Sequence, residues 1–152
     1  MITIFTDGAS RGNPGPGGYG VVLKWNGHRK ELADGFRKTT NNRMELLSVI
    51  AALESLKRNS IKVMIYSDSK YVVDSVEKGW VFNWQKTNFK KKKNGDLWKK
   101  FLEIYPKFDI KFHWIKGHND HPENERCDEL AVEAALGSDL KIDHGFESGL
   151  YN

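Results

Sequence analysis

Two segments, residues 19–25 and 29–36, flank Asn26-Gly27. Both central positions of a type I′ turn need positive φ, and Asn-Gly supplies it at low steric cost. The pair therefore predicts a β-hairpin. A hairpin commits part of the sheet to antiparallel pairing, which excludes an all-helical or purely parallel architecture. Residues 2–7 alternate ahead of it and read as a first strand. Residues 11–18, rich in Gly and Pro, read as the loop between them.

Beyond the hairpin the period changes. Leu46, Val49, Ile50, Leu53 and Leu56 recur at helical spacing, with Asn41 or Asn42 as the expected cap. Residues 61–67 alternate as a strand, and residues 69–78 and 80–86 read as helices. A lysine-rich stretch breaks the pattern up to Gly95, Asp96 is placed to cap a helix to Tyr105, and Pro106 ends it. Residues 108–115 alternate again, and a helix follows from Pro122 to Leu136. Residues 138–152 read as a weakly ordered tail. Strands separated by helices pair in parallel through right-handed crossovers. The expectation is one α/β domain, residues 1–152, on a mixed sheet.

Composition narrows the classes. With 39% hydrophobic and 29% charged residues, the 152-residue chain is neither disordered nor collagen-like. No apolar run reaches the ~18–20 residues of a membrane span, and the first residues lack a secretory pattern. Cys127 is the single cysteine, so no internal disulfide forms, which fits a reducing cytoplasm. Net charge is +4 but unevenly spread. Residues 86–100 carry seven lysines against Asp96, whereas the last 36 residues carry nine acids against Arg126 and Lys141. That split suggests a polyanionic partner beside a cation site. Taken alone, such a charge run reads first as a solvated lysine face next to an acidic helix.

Four acids stand out. Asp7 and Asp68 each close an apolar strand, where open α/β sheets bind ligands. If the strands are neighbours, the two carboxylates lie side by side and repel unless a cation compensates. At about 100° per residue, Glu45 falls at the edge of its helix's apolar arc. Asp128 flanks the arc of Cys127, Leu130, Ala131 and Ala134 in the same way. Each acid alone reads as a cap or boundary ion pair; four at one sheet end read as a site. Oxygen donors without a histidine or thiolate cluster suit Mg²⁺ or Mn²⁺.

Thr6-Asp7-Gly8-Ala9-Ser10, Thr39 through Leu46, Tyr66-Ser67-Asp68-Ser69 and Lys116-Gly117-His118 through Asp128 resemble the motifs of type 1 ribonuclease H. The resemblance spans nearly the whole chain, in the single-domain bacterial form. It implies a five-stranded mixed sheet flanked by helices. It also implies endonucleolytic hydrolysis of the RNA strand of RNA–DNA hybrids, leaving 5′-phosphate and 3′-hydroxyl ends. Carried over by motif, Asp7, Glu45, Asp68 and Asp128 are the catalytic metal ligands, two ions being held with substrate. His118 takes the role of proton transfer or product release, which suits an imidazole titrating near neutrality. A monomer in the cytoplasm, with no membrane partner, completes the expectation.

The same resemblance assigns substrate contacts. The amides of Asn13, Asn41 and Asn42 can meet minor-groove edges and 2′-hydroxyls, and Thr40 lies at the same helix start. Residues 80–95 correspond to a basic protrusion gripping the DNA backbone, with Trp80, Trp84, Lys86, Lys90 and Lys91 as contacts. The tryptophans also read as packing residues. Lys70 stands where many bacterial relatives carry Gln, which points to phosphate rather than base contact.

Overall fold

The computed structural model describes residues 1–117 and 121–152. Its hairpin pairs β2 (Gly15–Trp25) with β3 (His28–Thr39), antiparallel, closing at Trp25 and His28. Asn26 and Gly27 have φ of 44° and 78°, the signs a type I′ turn requires. β1 (Ile2–Ser10) pairs antiparallel with β2 and parallel with β4 (Lys62–Ser67), which pairs parallel with β5 (Asp109–Trp114). The sheet order is β3-β2-β1-β4-β5, five strands and mixed as expected. Between them run α1 (Asn41–Glu54), α2 (Lys70–Glu77), α3 (Trp80–Lys86) and α4 (Gly95–Ile104); α5 (Pro122–Ala135) and α6 (His144–Glu147) follow β5. No described helix is long and apolar enough to cross a membrane.

Strand alternation sorts the core into two layers. Ile4, Val21, Leu23, Val63, Ile65 and Phe112 face α1, α2 and α4, where Leu46, Ile50, Val72, Trp98 and Phe101 bury against them. Phe5 and Val22 face the other way, toward Cys127 and Leu130 of α5. Cβ atoms at Gly18, Gly20 and Gly35 would overlap backbone oxygens of Ala131, Cys127 and Ala134. Glycine there lets α5 lie directly on β2 and β3. This corrects the loop expected over residues 11–18, because β2 already begins at Gly15. β1 likewise runs past Asp7 to Ser10, so Asp7 lies within the strand, opposite Gly20.

Three local expectations are also corrected. Thr40, not Asn41 or Asn42, is the N-cap of α1, accepting from the Arg43 amide at 3.3 Å. Asn94 precedes α4 in a left-handed conformation with no side-chain cap bond, and Asp96 pairs with Arg43 instead of capping. The stretch expected to be a loose tail is packed: Lys141 bridges to Phe36, Asp143 is buried, and residues 144–147 are helical. Its anchors are an ion pair and backbone bonds from distant segments, which no local periodicity announces.

Candidate active site

β1 and β4 run parallel with Thr6 opposite Ser67, so Asp7 and Asp68, one residue on, stand side by side. Asp7 is buried, and its Oδ1 accepts from the Gly8 amide at 2.9 Å. α1 delivers Glu45 to the same place. A Cβ on Gly8 would overlap the backbone of Met44 and Glu45, so glycine there admits the helix. Trp114 Nε1 donates to the Asp68 carbonyl at 3.1 Å, holding the backbone beyond β4. A Cβ on Gly117 would meet Asp68 Oδ2 at 2.6 Å, so that loop also needs its glycine.

The result is a cluster in which Asp7, Glu45 and Asp68 each offer a carboxylate oxygen, all within 4.8 Å of one another. Burial, then the charges of Asp68 and Asp128, push the Asp7 carboxyl up to about 8. Burial, with Asp7 and Asp68 beside it, pushes Glu45 well above the ordinary carboxylate value. Glu45 Oε1 is buried with no hydrogen-bond partner among the described residues. Crowded carboxylates and an orphaned acceptor fit a divalent cation, which supplies the missing charge and a bond to that oxygen.

Asp128, half-buried on α5, lies outside the 4.8 Å cluster but near enough for its charge to raise Asp7. The helix bearing it is fixed by the glycines of β2 and β3 and by Arg29–Glu123 and Arg126–Glu31, both at 2.9 Å. Such exposed pairs contribute about 0–1 kcal/mol each. Cys127 beside it is no nucleophile: burial pushes its thiol up, and Sγ donates to the Phe5 carbonyl at 3.2 Å. His118 lies outside the described residues.

The asparagines form a second constellation. Asn41 Oδ1 accepts from the Ser10 amide at 2.6 Å and its hydroxyl at 3.1 Å, while the Asn41 amide donates to Asn13 Oδ1 at 3.1 Å. Asn13, between β1 and β2, and Asn41 and Asn42, at the start of α1, are all exposed. Ser10 joins this constellation without a role assigned from sequence; its only signal is that it ends the strand that carries Asp7. Lys70 is exposed, its Nζ 4.7 Å from the Trp114 ring centroid, a cation–π distance.

Residues 80–95 comprise α3 and the lysine-rich turn before α4, held to the core through Val81 and Phe89. Trp80 is 43% exposed, with Lys78 over its ring. Trp84 packs edge-on to buried Trp98 at 6.0 Å, and Lys92 lies over its outer face. Lys86, Lys90 and Lys91 are exposed, and Phe89 is buried beneath them. Trp84 and Phe89 thus anchor the lysine turn. The structure does not bring these residues into the carboxylate cluster.

Comparison with known proteins decides the family. The RNase H family model matches residues 1–136. A ribonuclease H from Desulforamulus reducens is 54% identical over 93% of this chain and 92% of its own length. The chain belongs to the ribonuclease H family. It is thus a nuclease, an enzyme of the hydrolase class. A ribonuclease H from Trichodesmium erythraeum is 50% identical, covering 96% of each chain. Among solved structures, LC9-RNase H1, a type 1 enzyme with the type 2 active-site motif, superposes with a TM-score of 0.81. It is 30% identical over 99% of this chain and 81% of that one. LC11-RNase H1, solved in complex with an RNA/DNA hybrid, gives 0.62 at 29% identity, covering 89% of this chain and 96% of that one.

Proposed function

We propose that the chain hydrolyses the RNA strand of RNA–DNA hybrids endonucleolytically, leaving 5′-phosphate and 3′-hydroxyl ends. The observation that carries this is the cluster of Asp7, Glu45 and Asp68 carboxylate oxygens within 4.8 Å of one another. With Asp128 beside them, these acids would hold two divalent ions. The all-oxygen donor set suits Mg²⁺, with Mn²⁺ able to substitute. When bound, the ions supply water activation and charge stabilisation at the phosphate.

The chain's own groups do the rest. The exposed amides of Asn13, Asn41 and Asn42, with Thr40, meet the minor groove and the RNA 2′-hydroxyls. The hybrid complex of LC11-RNase H1 supports that partner. Lys70 meets a phosphate near the cut. Trp80, Trp84, Lys86, Lys90 and Lys91 engage the DNA strand. His118 serves proton transfer or product release. The lone, buried Cys127 suits a cytoplasmic monomer.

A cleavage assay on labelled hybrid, double-stranded DNA and double-stranded RNA, each with Mg²⁺ and with chelator, tests the reading. RNA-strand cleavage of the hybrid alone, and only with metal, is expected; cutting of double-stranded DNA, or of any substrate in chelator, overturns it. Asp68→Asn should abolish cleavage while hybrid binding persists, and near-normal turnover by the folded variant contradicts the assignment. His118→Ala should lower turnover by about 10²–10⁴-fold with metal affinity unchanged. A defect mainly in metal affinity would remove histidine from that role.

A further inference from the structure

Outside the carboxylate cluster, buried charge collects around Arg43, whose side chain is 1% exposed. Its Nε and Nη2 donate to the two oxygens of Asp143 at 2.8 Å each. Nη1 and Nη2 donate to the two oxygens of Asp96 at 2.8 and 2.7 Å. Thr39 Oγ1 adds a bond to Asp143 Oδ2 at 2.7 Å. Three distant segments meet here: the β3–α1 junction, the start of α4, and the C-terminal stretch.

That stretch is laced down along its length. The Lys141 amide donates to the Gly35 carbonyl and its own carbonyl accepts from the Arg37 amide, both at 2.9 Å. Glu147 takes a forked pair from Arg37 at 2.9 and 2.8 Å. The Tyr151 carbonyl accepts from the Asn94 amide at 2.5 Å, and its ring stacks on Phe146. A Cβ on Gly145 would overlap Asp96 Oδ2.

A buried ion pair is weak evidence for stability, because desolvation offsets its Coulomb gain. A planar guanidinium bonded at both edges does fix geometry. Here it fixes two segments of interest relative to each other. Thr40, Asn41 and Asn42 precede Arg43 directly. Asn94 and Asp96 follow directly on the lysine turn of residues 86–93, and Asn94 Nδ2 donates to the Tyr71 hydroxyl at 3.1 Å.

We propose that residues 141–151 are a positioning strap: through Asp143 and Arg43 they set the asparagine turn of α1 against the lysine turn before α4, so that one duplex engages both. The proposal rests on the hybrid reading above. Two linked contact sets bind tightly only when their spacing matches the ligand. A released strap therefore weakens binding and leaves the step after binding intact.

The test uses Asp143→Asn, which keeps shape and removes charge, and Gly145→Ala, which crowds Asp96. Hybrid binding is measured in chelator across a salt series, independently of cleavage; kcat, KM and the thermal midpoint are recorded below the unfolding range of each variant. KM should rise roughly 10- to 100-fold, as the two contact sets lose the spacing that lets one duplex bind both. kcat should hold within about twofold. The salt slope should flatten by about one to two phosphate contacts. A lower midpoint with unchanged affinity and slope would make the junction purely structural and overturn the strap. A loss confined to kcat would overturn it too, assigning the junction to Glu45. Failure of the wild-type chain to cleave hybrid would instead refute the proposed function, a separate readout.

Discussion

Arg43 and Glu45 lie two residues apart on α1, and each anchors a cluster of buried charge. Around Arg43 the account is balanced by partners: a guanidinium, two carboxylates, and donors from Thr39 and the Phe146 amide. Burial raises the Asp143 carboxyl, but the bonds from Arg43 and Thr39 outweigh it and hold it below its ordinary value. Around Glu45 three carboxylates converge, and burial and mutual repulsion push Asp7 and Glu45 upward. One helix turn thus holds a cluster in which two carboxylates share a buried cation and one in which burial and like charge raise Asp7 and Glu45. A fold keeps the second kind where a ligand brings the missing charge.

The pH dependences carry opposite signs. A depressed Asp143 contributes stability that is present above its unfolded value and lost as pH falls. A raised Asp7 keeps its proton in the folded state while the unfolded chain releases it, so metal-free stability falls as pH rises from about 4 to about 8.

The contrast breaks most visibly at Arg43. Arg43→Met strands the buried Asp143 and the partly buried Asp96 without their cation, and breaking such a pair costs about 3–5 kcal/mol. Chemical denaturation at pH 7 measures it; a loss under about 1 kcal/mol would show that the junction is not a compensated cluster. A smaller effect is expected where charge is exposed at the surface. Replacing Lys90, Lys91, Lys92 and Lys93 with Ala should leave stability and kcat nearly unchanged, raise KM, and flatten the salt slope of hybrid binding by roughly two to three. An unchanged slope would reduce the lysine turn to a solvated surface.

Legibility in the sequence follows the range of the signal. The Asn26-Gly27 turn, the alternation of Ile4 with Phe5 and the helical stripe from Leu46 to Leu53 are local, and each element lies where its period places it. Asp7 and Asp68 were readable because an acid closing an apolar run breaks a local rule, and parallel pairing of β1 and β4 makes them neighbours. Gly18 of β2 reads as loop because absence of a side chain signals freedom locally; its purpose, admitting α5, exists only in three dimensions. Asp143 reads as one more acid in a polar tail. Its partner lies 100 residues away, and long-range ion pairs leave no period.

If the carboxylate cluster is a cation site, a divalent ion should stabilise the fold most where Asp7 would otherwise carry an unfavourable charge. The direct test is the thermal midpoint at pH 5 and pH 8, with chelator and with Mg²⁺, for the wild type and Asp7→Asn. In chelator the wild-type midpoint should fall between pH 5 and pH 8, Mg²⁺ should restore it at pH 8 and do little at pH 5, and Asp7→Asn should be the more stable protein at pH 8 without metal. A wild-type midpoint that Mg²⁺ does not raise at pH 8, with Asp7→Asn no more stable than wild type in chelator, would contradict the account.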